Sequence, residues 1–187
     1  MKTPIAILIV LFCYNSNFSQ ALFNPEKSRM SIRGTSTLHD WESVVEMEEV
    51  KIELHIEDED PLLLGHLRLR IPVKSIWSGN RIMDNKTYAA LKADEYPTIK
   101  YEVEGFDHKQ GQVTVSNGLL KIAGVEKAVP VTANYTRNNS GMLEFAGTVS
   151  LKMSEFNIDP PSAMIGTLKT GDEININYTI AFKTKNN

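Results

Sequence analysis

Cysteine is almost missing from this chain. Its one example, Cys13, lies inside the apolar stretch Ile5 to Phe12 and its flank. Lys2 supplies a positive start, the apolar stretch follows, and Ser19-Gln20-Ala21 offers a cleavage region. Residues 1–21 therefore read as a secretory signal peptide, and residues 22–187 as the remaining domain. Once such a leader is removed no thiol is left. Disulfides, thiolate metal sites and a cysteine nucleophile are then excluded. The apolar stretch is too short to span a bilayer, and Phe12 is bulky where a lipoprotein signal needs a small residue before its cysteine. A basic stripe is also lacking: the net charge is −3, and a phosphate-backbone face needs clustered Lys and Arg, so nucleic acid is not an expected partner. Histidine is sparse, with four residues, and no two stand at the i, i+4 spacing of a helical zinc site. His55 and His66 fall on polar strand faces, and His108 in a turn. Asp58, Glu59 and Asp60 are acidic but lack a calcium-loop pattern. No metal and no cofactor is implied.

Helical periodicity is equally scarce. It is confined to SGNRIMDNKTYAALKADEYPTIKY, Ser78 to Tyr101. Asp84 is placed to cap the start. Thr87, Tyr88, Leu91 and Lys92 follow at helical spacing among three alanines that favour helix, and Pro97 sets the far limit.

What fills the rest is strict alternation. Val50, Ile52, Leu54 and Ile56 oppose Lys51, Glu53, His55 and Glu57. Leu67, Leu69, Ile71 and Val73 oppose His66, Arg68 and Arg70. Period two means a sheet with one dry and one wet face. If the two strands pair antiparallel, Glu53 and Glu57 meet Arg68 and Arg70. The first strand is expected over Ser28 to Gly34, after a polar lead-in from Ala21 to Lys27. Five alternating runs follow the helix, with a kink at Asn117-Gly118, turns at Gly124 to Lys127 and at RNNSG, and a long loop over Asn157 to Asp172.

About eight long, one-face-apolar strands argue for a closed antiparallel barrel or a two-sheet sandwich, and their length favours the barrel. The fold class is thus all-β: an extended eight-stranded antiparallel barrel with one short capping helix. Eight strands leave room for packed side chains or for one small ligand. With an inner face of Ile, Leu, Val, Phe, Tyr and Met, that ligand would be apolar. The pattern alone leaves the solid and the hollow barrel equally open.

Four stretches in order resemble one family: STLHDWES at Ser36 to Ser43, IPVKSIWSGNRIMDNKTYAALKADEYPTIKY at Ile71 to Tyr101, NGLLKIAGVEKAVPV at Asn117 to Val131, and FNIDPPSAMIGTLKTGDEININY at Phe156 to Tyr178. Together they resemble the YceI-like, periplasmic polyisoprenoid-binding proteins with a lipocalin-like barrel. Two departures read as a subgroup variant. Asn157-Ile158-Asp159-Pro160-Pro161 replaces a segment of the form idR-x-x-F/W-G, and Met83-Asp84 stands where an Arg-Asp pair is common. The resemblance implies a periplasmic or secreted, non-enzymatic carrier that holds an isoprenoid or other long-chain lipid in its lumen, with a homodimer or transient membrane contact as further partners.

Candidate tail contacts are bulky dry-face residues: Trp41, Leu54, Leu69, Ile71, Met83, Leu91, Tyr101, Phe145, Tyr178 and Phe182. Asn80, Asp84 and Lys86 at the helix start are candidates for a polar head group, and Met164 and Leu168 for a second lid. His39 and Asp40, as strand neighbours, would point to opposite faces and cannot easily share a ligand. Two other functions stand beside the carrier. One is a solid barrel acting as a protein-interaction or stress-response module. The other is an enzyme on an apolar substrate using His39, Asp40 or Asp84, for which no catalytic set can be assembled.

Overall fold

The computed structural model of the chain describes residues 19–59, 62–109, 111–139, 141–163 and 168–184. Of the expected leader, residues 1–21, the first eighteen lie outside them, and Ser19, Gln20 and Ala21 are described.

The described strands are β1 (Ser19–Ser36), β2 (Trp41–Val45), β3 (Lys51–Glu59), β4 (Leu62–Pro72), β5 (Ile76–Trp77), β6 (Thr98–Val103), β7 (Asp107–Lys109), β8 (Gln112–Val115), β9 (Leu119–Ile122), β10 (Val125–Ala128), β11 (Val131–Arg137), β12 (Met142–Lys152), β13 (Ser162–Ala163) and β14 (Leu168–Lys183). They make one antiparallel sheet of fourteen segments, not eight. The difference lies in breaks. β6 and β9 pair with Lys100 opposite Lys121, and β7 and β8 continue in the same register with Asp107 opposite Thr114. The two ladders therefore join the same two ribbons. In the same way β10 pairs with β9 and β11 with β8. With β6–β7, β8–β9 and β10–β11 each counted as one ribbon, the hydrogen-bonded path comes round on itself through β12, β14, β1, β3 and β4. Eight ribbons close the wall, and β2, β5 and β13 are additions at one end.

Closure is thinnest at two places. β1 meets β3 only through Ser19, Gln20 and Ala21, opposite Ile56, His55 and Leu54; these are the last three residues of the expected leader, so this ladder belongs to the full chain and is lost on cleavage after Ala21, and further along the β1 edge is taken by β2. Beyond the β4–β6 ladder, His108 Nε2 accepts the Leu64 N–H at 3.3 Å. His108 thus sits in a strand that stitches this seam, not in the expected turn.

Several expectations are corrected by local geometry. The first strand begins well before Ser28, because a bulge between Asn24 and Arg29 hides the continuing alternation. Ser28 fixes that bulge, donating its hydroxyl to Asn24 O at 2.7 Å and accepting the Ala181 N–H at 2.9 Å. Asp58 and Glu59 extend the β3–β4 hairpin, opposite Leu63 and Leu62. The turn after β9 is tight, at Ala123 and Gly124 with φ of 49° and 82°, so Val125 to Lys127 are already strand. Leu119 faces outward. The expected loop over 157–172 is shortened by β13 and by the early start of β14. Met164 lies outside the described residues. Glu53 reaches both Arg68 (3.9 Å) and Arg70 (3.8 Å), each pair being exposed and contributing a few tenths of a kcal/mol. Glu57 lies over Gly65.

Helix α1 (Arg81–Ala90) starts at Asn80, not at Asp84. The Asn80 side chain accepts from the Ile82 and Met83 amides at 3.0 and 3.3 Å, as an N-cap does. Asp84 sits in the first turn and accepts from Ser78 N and Ser78 Oγ, both at 2.7 Å. The helix stops short of Pro97, because Lys92 turns to a positive φ of 52°. No α1 residue is fully buried. The helix covers the end of the barrel without entering its core. Tyr88 Oη ties it to Ile76 O at 2.8 Å, and Lys86 Nζ donates to Ser162 O on the other side.

Candidate functional site

The barrel is hollow. Its lumen holds a cavity of about 560 Å³, within the range typical of small-molecule sites. Inward phases of every ribbon supply the wall, as period-two alternation on a closed sheet requires. The solid-barrel expectation fails on this cavity.

All ten apolar candidates line it: Trp41, Leu54, Leu69, Ile71, Met83, Leu91, Tyr101, Phe145, Tyr178 and Phe182. Of the three candidates for a head group, Asn80 and Lys86 line the cavity and Asp84 does not. Asp84 is occupied by Ser78, and its contribution is to the helix start. His39 lines the cavity and Asp40 does not; His39 Nδ1 lies 2.8 Å from Asp40 O. His55 and His66 stack at 4.9 Å away from the cavity lining.

The far end is a floor of rings. Phe145 and Phe182 meet edge to face at 5.9 Å, with Phe23 against Phe182 and Tyr135 against Phe145, both at 6.1 Å. Such pairs add about 0.5–1.5 kcal/mol each beyond the area they bury.

Two tyrosines in the wall solve a local problem. A phenol hydroxyl in an apolar lumen needs an acceptor. Tyr101 Oη donates to Val129 O at 2.9 Å and Tyr178 Oη to Thr132 O at 3.3 Å. Both hydroxyls pass over glycine to get there. A Cβ on Gly118 would stand 2.0 Å from Tyr101 Oη, and one on Gly147 2.5 Å from Tyr178 Oη. The rings face the lumen and the hydroxyls are satisfied at its edge. Burial pushes the Tyr178 phenol up to about 12. It raises Tyr101 as well, with the neighbouring Tyr178 adding to the effect.

At the helix end, Met83, Thr87, Ala90 and Leu91 follow the i, i+3/i+4 face of α1 that looks into the cavity. Four further residues there were not singled out from sequence. Leu38 and Ile82 are large, exposed and line the cavity, and Lys152 and Lys169 line it too. Leu38 had one signal, an apolar residue inside the polar turn STLHD. Lys152 and Lys169 had none, because they lie where strands roll over the rim.

The model of the YceI-like domain family matches residues 22–182. No curated protein matches the chain. Among solved structures, Burkholderia cenocepacia BcnA superposes with a TM-score of 0.73 at 19% identity, over 85% of this chain and 98% of that one. A polyisoprenoid-binding domain from Saccharophagus degradans, implicated in plant cell wall breakdown, gives 0.64 at 10% identity, over 89% and 98%. The Campylobacter jejuni YCEI protein gives 0.61 at 19%, over 78% and 85%. At these identities the likeness is one of fold.

Proposed function

Because this chain belongs to the YceI-like domain family, we propose that it is an exported, non-enzymatic carrier that holds an isoprenoid or other long-chain amphiphilic lipid in its barrel. The observation that carries this reading is the apolar cavity running from the ring floor to the helix end. Each methylene transferred from water to such a wall gains about 0.8 kcal/mol, so a long hydrocarbon tail binds without any specific polar contact. The polyisoprenoid-binding domain of similar fold supports the class of ligand. Export is supported by the leader-like residues 1–21 and by a family match that begins at residue 22. The wall offers apolar contact along its length, whereas catalysis needs a nucleophile beside a base and a third group to orient it. Leu38 and Ile82, exposed beside the mouth, suit pick-up from a bilayer surface.

Native mass spectrometry of the processed protein, followed by solvent extraction, tests the proposal. A discrete extra mass that leaves with solvent and is a long-chain lipid is the expected result. An empty protein that takes up no polyprenyl lipid on mixing overturns it.

A further inference from the structure

Three of the chain's four histidines, His55, His66 and His108, gather at the far half of the β3–β4 hairpin. That half is weakly held at its sides. The β4–β6 ladder ends at Leu67 opposite Val103, and among the described residues no ladder joins Leu62 to His66 with β7. On the other side β3 meets β1 only through Ser19 to Ala21. The hairpin register also slips twice, between Leu54 and Ile56 and between Ile56 and Asp58, and such slips bend a strand pair. Leu54 and Leu64 of this half line the cavity, so its position sets part of the lumen wall. The ring floor is carried by β1, β11, β12 and β14 and does not depend on it.

Across the gap, His108 Nε2 accepts the Leu64 N–H at 3.3 Å. An imidazole nitrogen accepts only while it carries no proton, so the ring's one hydrogen sits on Nδ1. Nδ1 is buried and meets no partner among the described residues. His108 stands opposite Val113, a cavity-lining residue, and opposite residues of an antiparallel pair share a face. Its surroundings are apolar: Leu64, Val113 and the Phe106 ring at 6.4 Å. A second proton would turn Nε2 from acceptor to donor against the Leu64 N–H and leave a cation with no counter-charge on that side. The charged neighbours lie elsewhere. Glu57 of β3, His66 and Arg68 of β4, and Glu102 and Glu104 at the end of β6 line a groove on the outer face, with Asp58 and Glu59 further along β3. On β7, Asp107 and Lys109 are exposed, and Asp107 accepts Ser116 Oγ at 3.3 Å. β8 carries no charge. His55 and His66 stack at 4.9 Å beside the outer carboxylates, which offset a charge on that pair. His108 has no such offset.

We propose that His108 is an acid-sensitive latch in the barrel wall. Neutral, it holds the far half of the β3–β4 hairpin to β7; protonated, it lets that half swing free and the lumen loosens. Imidazole is the side chain that ordinarily changes charge between about pH 5 and 8. The closed wall requires the neutral ring and the opened wall accepts the proton, so closure is complete at the upper end of that range and is lost as pH falls. The test is amide exchange at Leu64 in the processed protein, followed by NMR from pH 8 to pH 5 and corrected for the intrinsic pH dependence of exchange. A rise of about tenfold at Leu64 is expected on acidification, the loss of one hydrogen bond, with β12 unchanged. His108→Gln keeps an acceptor that does not titrate and should abolish the rise; His55→Gln with His66→Gln should leave it in place. The pH series on the unaltered protein does not depend on any variant folding. No rise at Leu64, an equal rise in β12, or a rise lost in the His55, His66 double variant and kept in His108→Gln overturns the latch. None of these readouts involves a ligand, so the carrier reading stands or falls separately.

Discussion

At the floor of the barrel Leu143 and Phe182 are sealed from solvent, at 0% and 1% exposure, while at the helix end Leu38 and Ile82 stand 69% and 71% exposed. Both ends are made of apolar residues on the same closed wall. At the floor those residues face one another, so their burial stabilises the fold. At the mouth they face a cavity and water, and their burial is left for a ligand or a surface to complete. One sheet therefore has a rigid end and an end held by polar ties: the Asn80 cap, the Asp84–Ser78 pair, the Tyr88–Ile76 bond and the Lys86–Ser162 bond.

The contrast can be broken most directly at the floor. Phe182→Ala is expected to cost about 3–5 kcal/mol, lowering the melting temperature by roughly 10 °C; a change under 1 kcal/mol in urea unfolding would mean the floor is already loose. The wall between the two ends is tested by pH. The Tyr178 phenol is raised by burial to about 12, so its neutral form is the one the fold favours. Its contribution is complete below about pH 10, the unfolded value, and is lost as pH rises toward 12. Tyr178→Phe should cost about 1 kcal/mol at pH 8 through the lost hydrogen bond to Thr132, and should flatten the decline in stability between pH 10 and 12. Urea titrations at pH 8 and pH 11 measure both. At the mouth, Asn80→Ala should cost about 1 kcal/mol. Because α1 has no fully buried residue, hydrogen exchange should quicken in residues 81–90 and remain slow in β12 and β14. Smallest of all, Leu38→Ser with Ile82→Ser should change stability by under about 0.5 kcal/mol per site, yet slow lipid uptake from vesicles. A melting-point drop as large as that of Phe182→Ala would erase the distinction between the ends.

Alternation made most of this wall readable beforehand. Leu54, Leu69, Tyr101, Phe145, Tyr178 and Phe182 each sit at a position whose parity fixes its face, and all of them line the lumen. Parity fails where the chain slips. The bulge before Arg29 concealed the start of β1, since its hydrogen bonds run to Ala181, far away in sequence. Asn80 and Asp84 are both acceptable caps by residue type; what decides is backbone conformation, with Asn80 extended at φ −121° after Gly79 at φ 79°. Lys152 and Lys169 could not be found because the register that brings β14 beside β12 and β13 is set by pairing, not by composition. Hollowness was undecidable for a related reason: the same Leu, Ile and Val pattern fills a narrow barrel and lines a wide one.

The sealed floor has a consequence for order of events. Among the described residues, rings pack across the base of the wall, and exposed side chains line the cavity at the helix end. On the proposed carrier function, a chain-like cargo would back in, tail leading, and its polar end would cross the threshold last. On departure the sequence reverses, so whatever receives the cargo meets the polar end before any of the hydrocarbon is exposed to water.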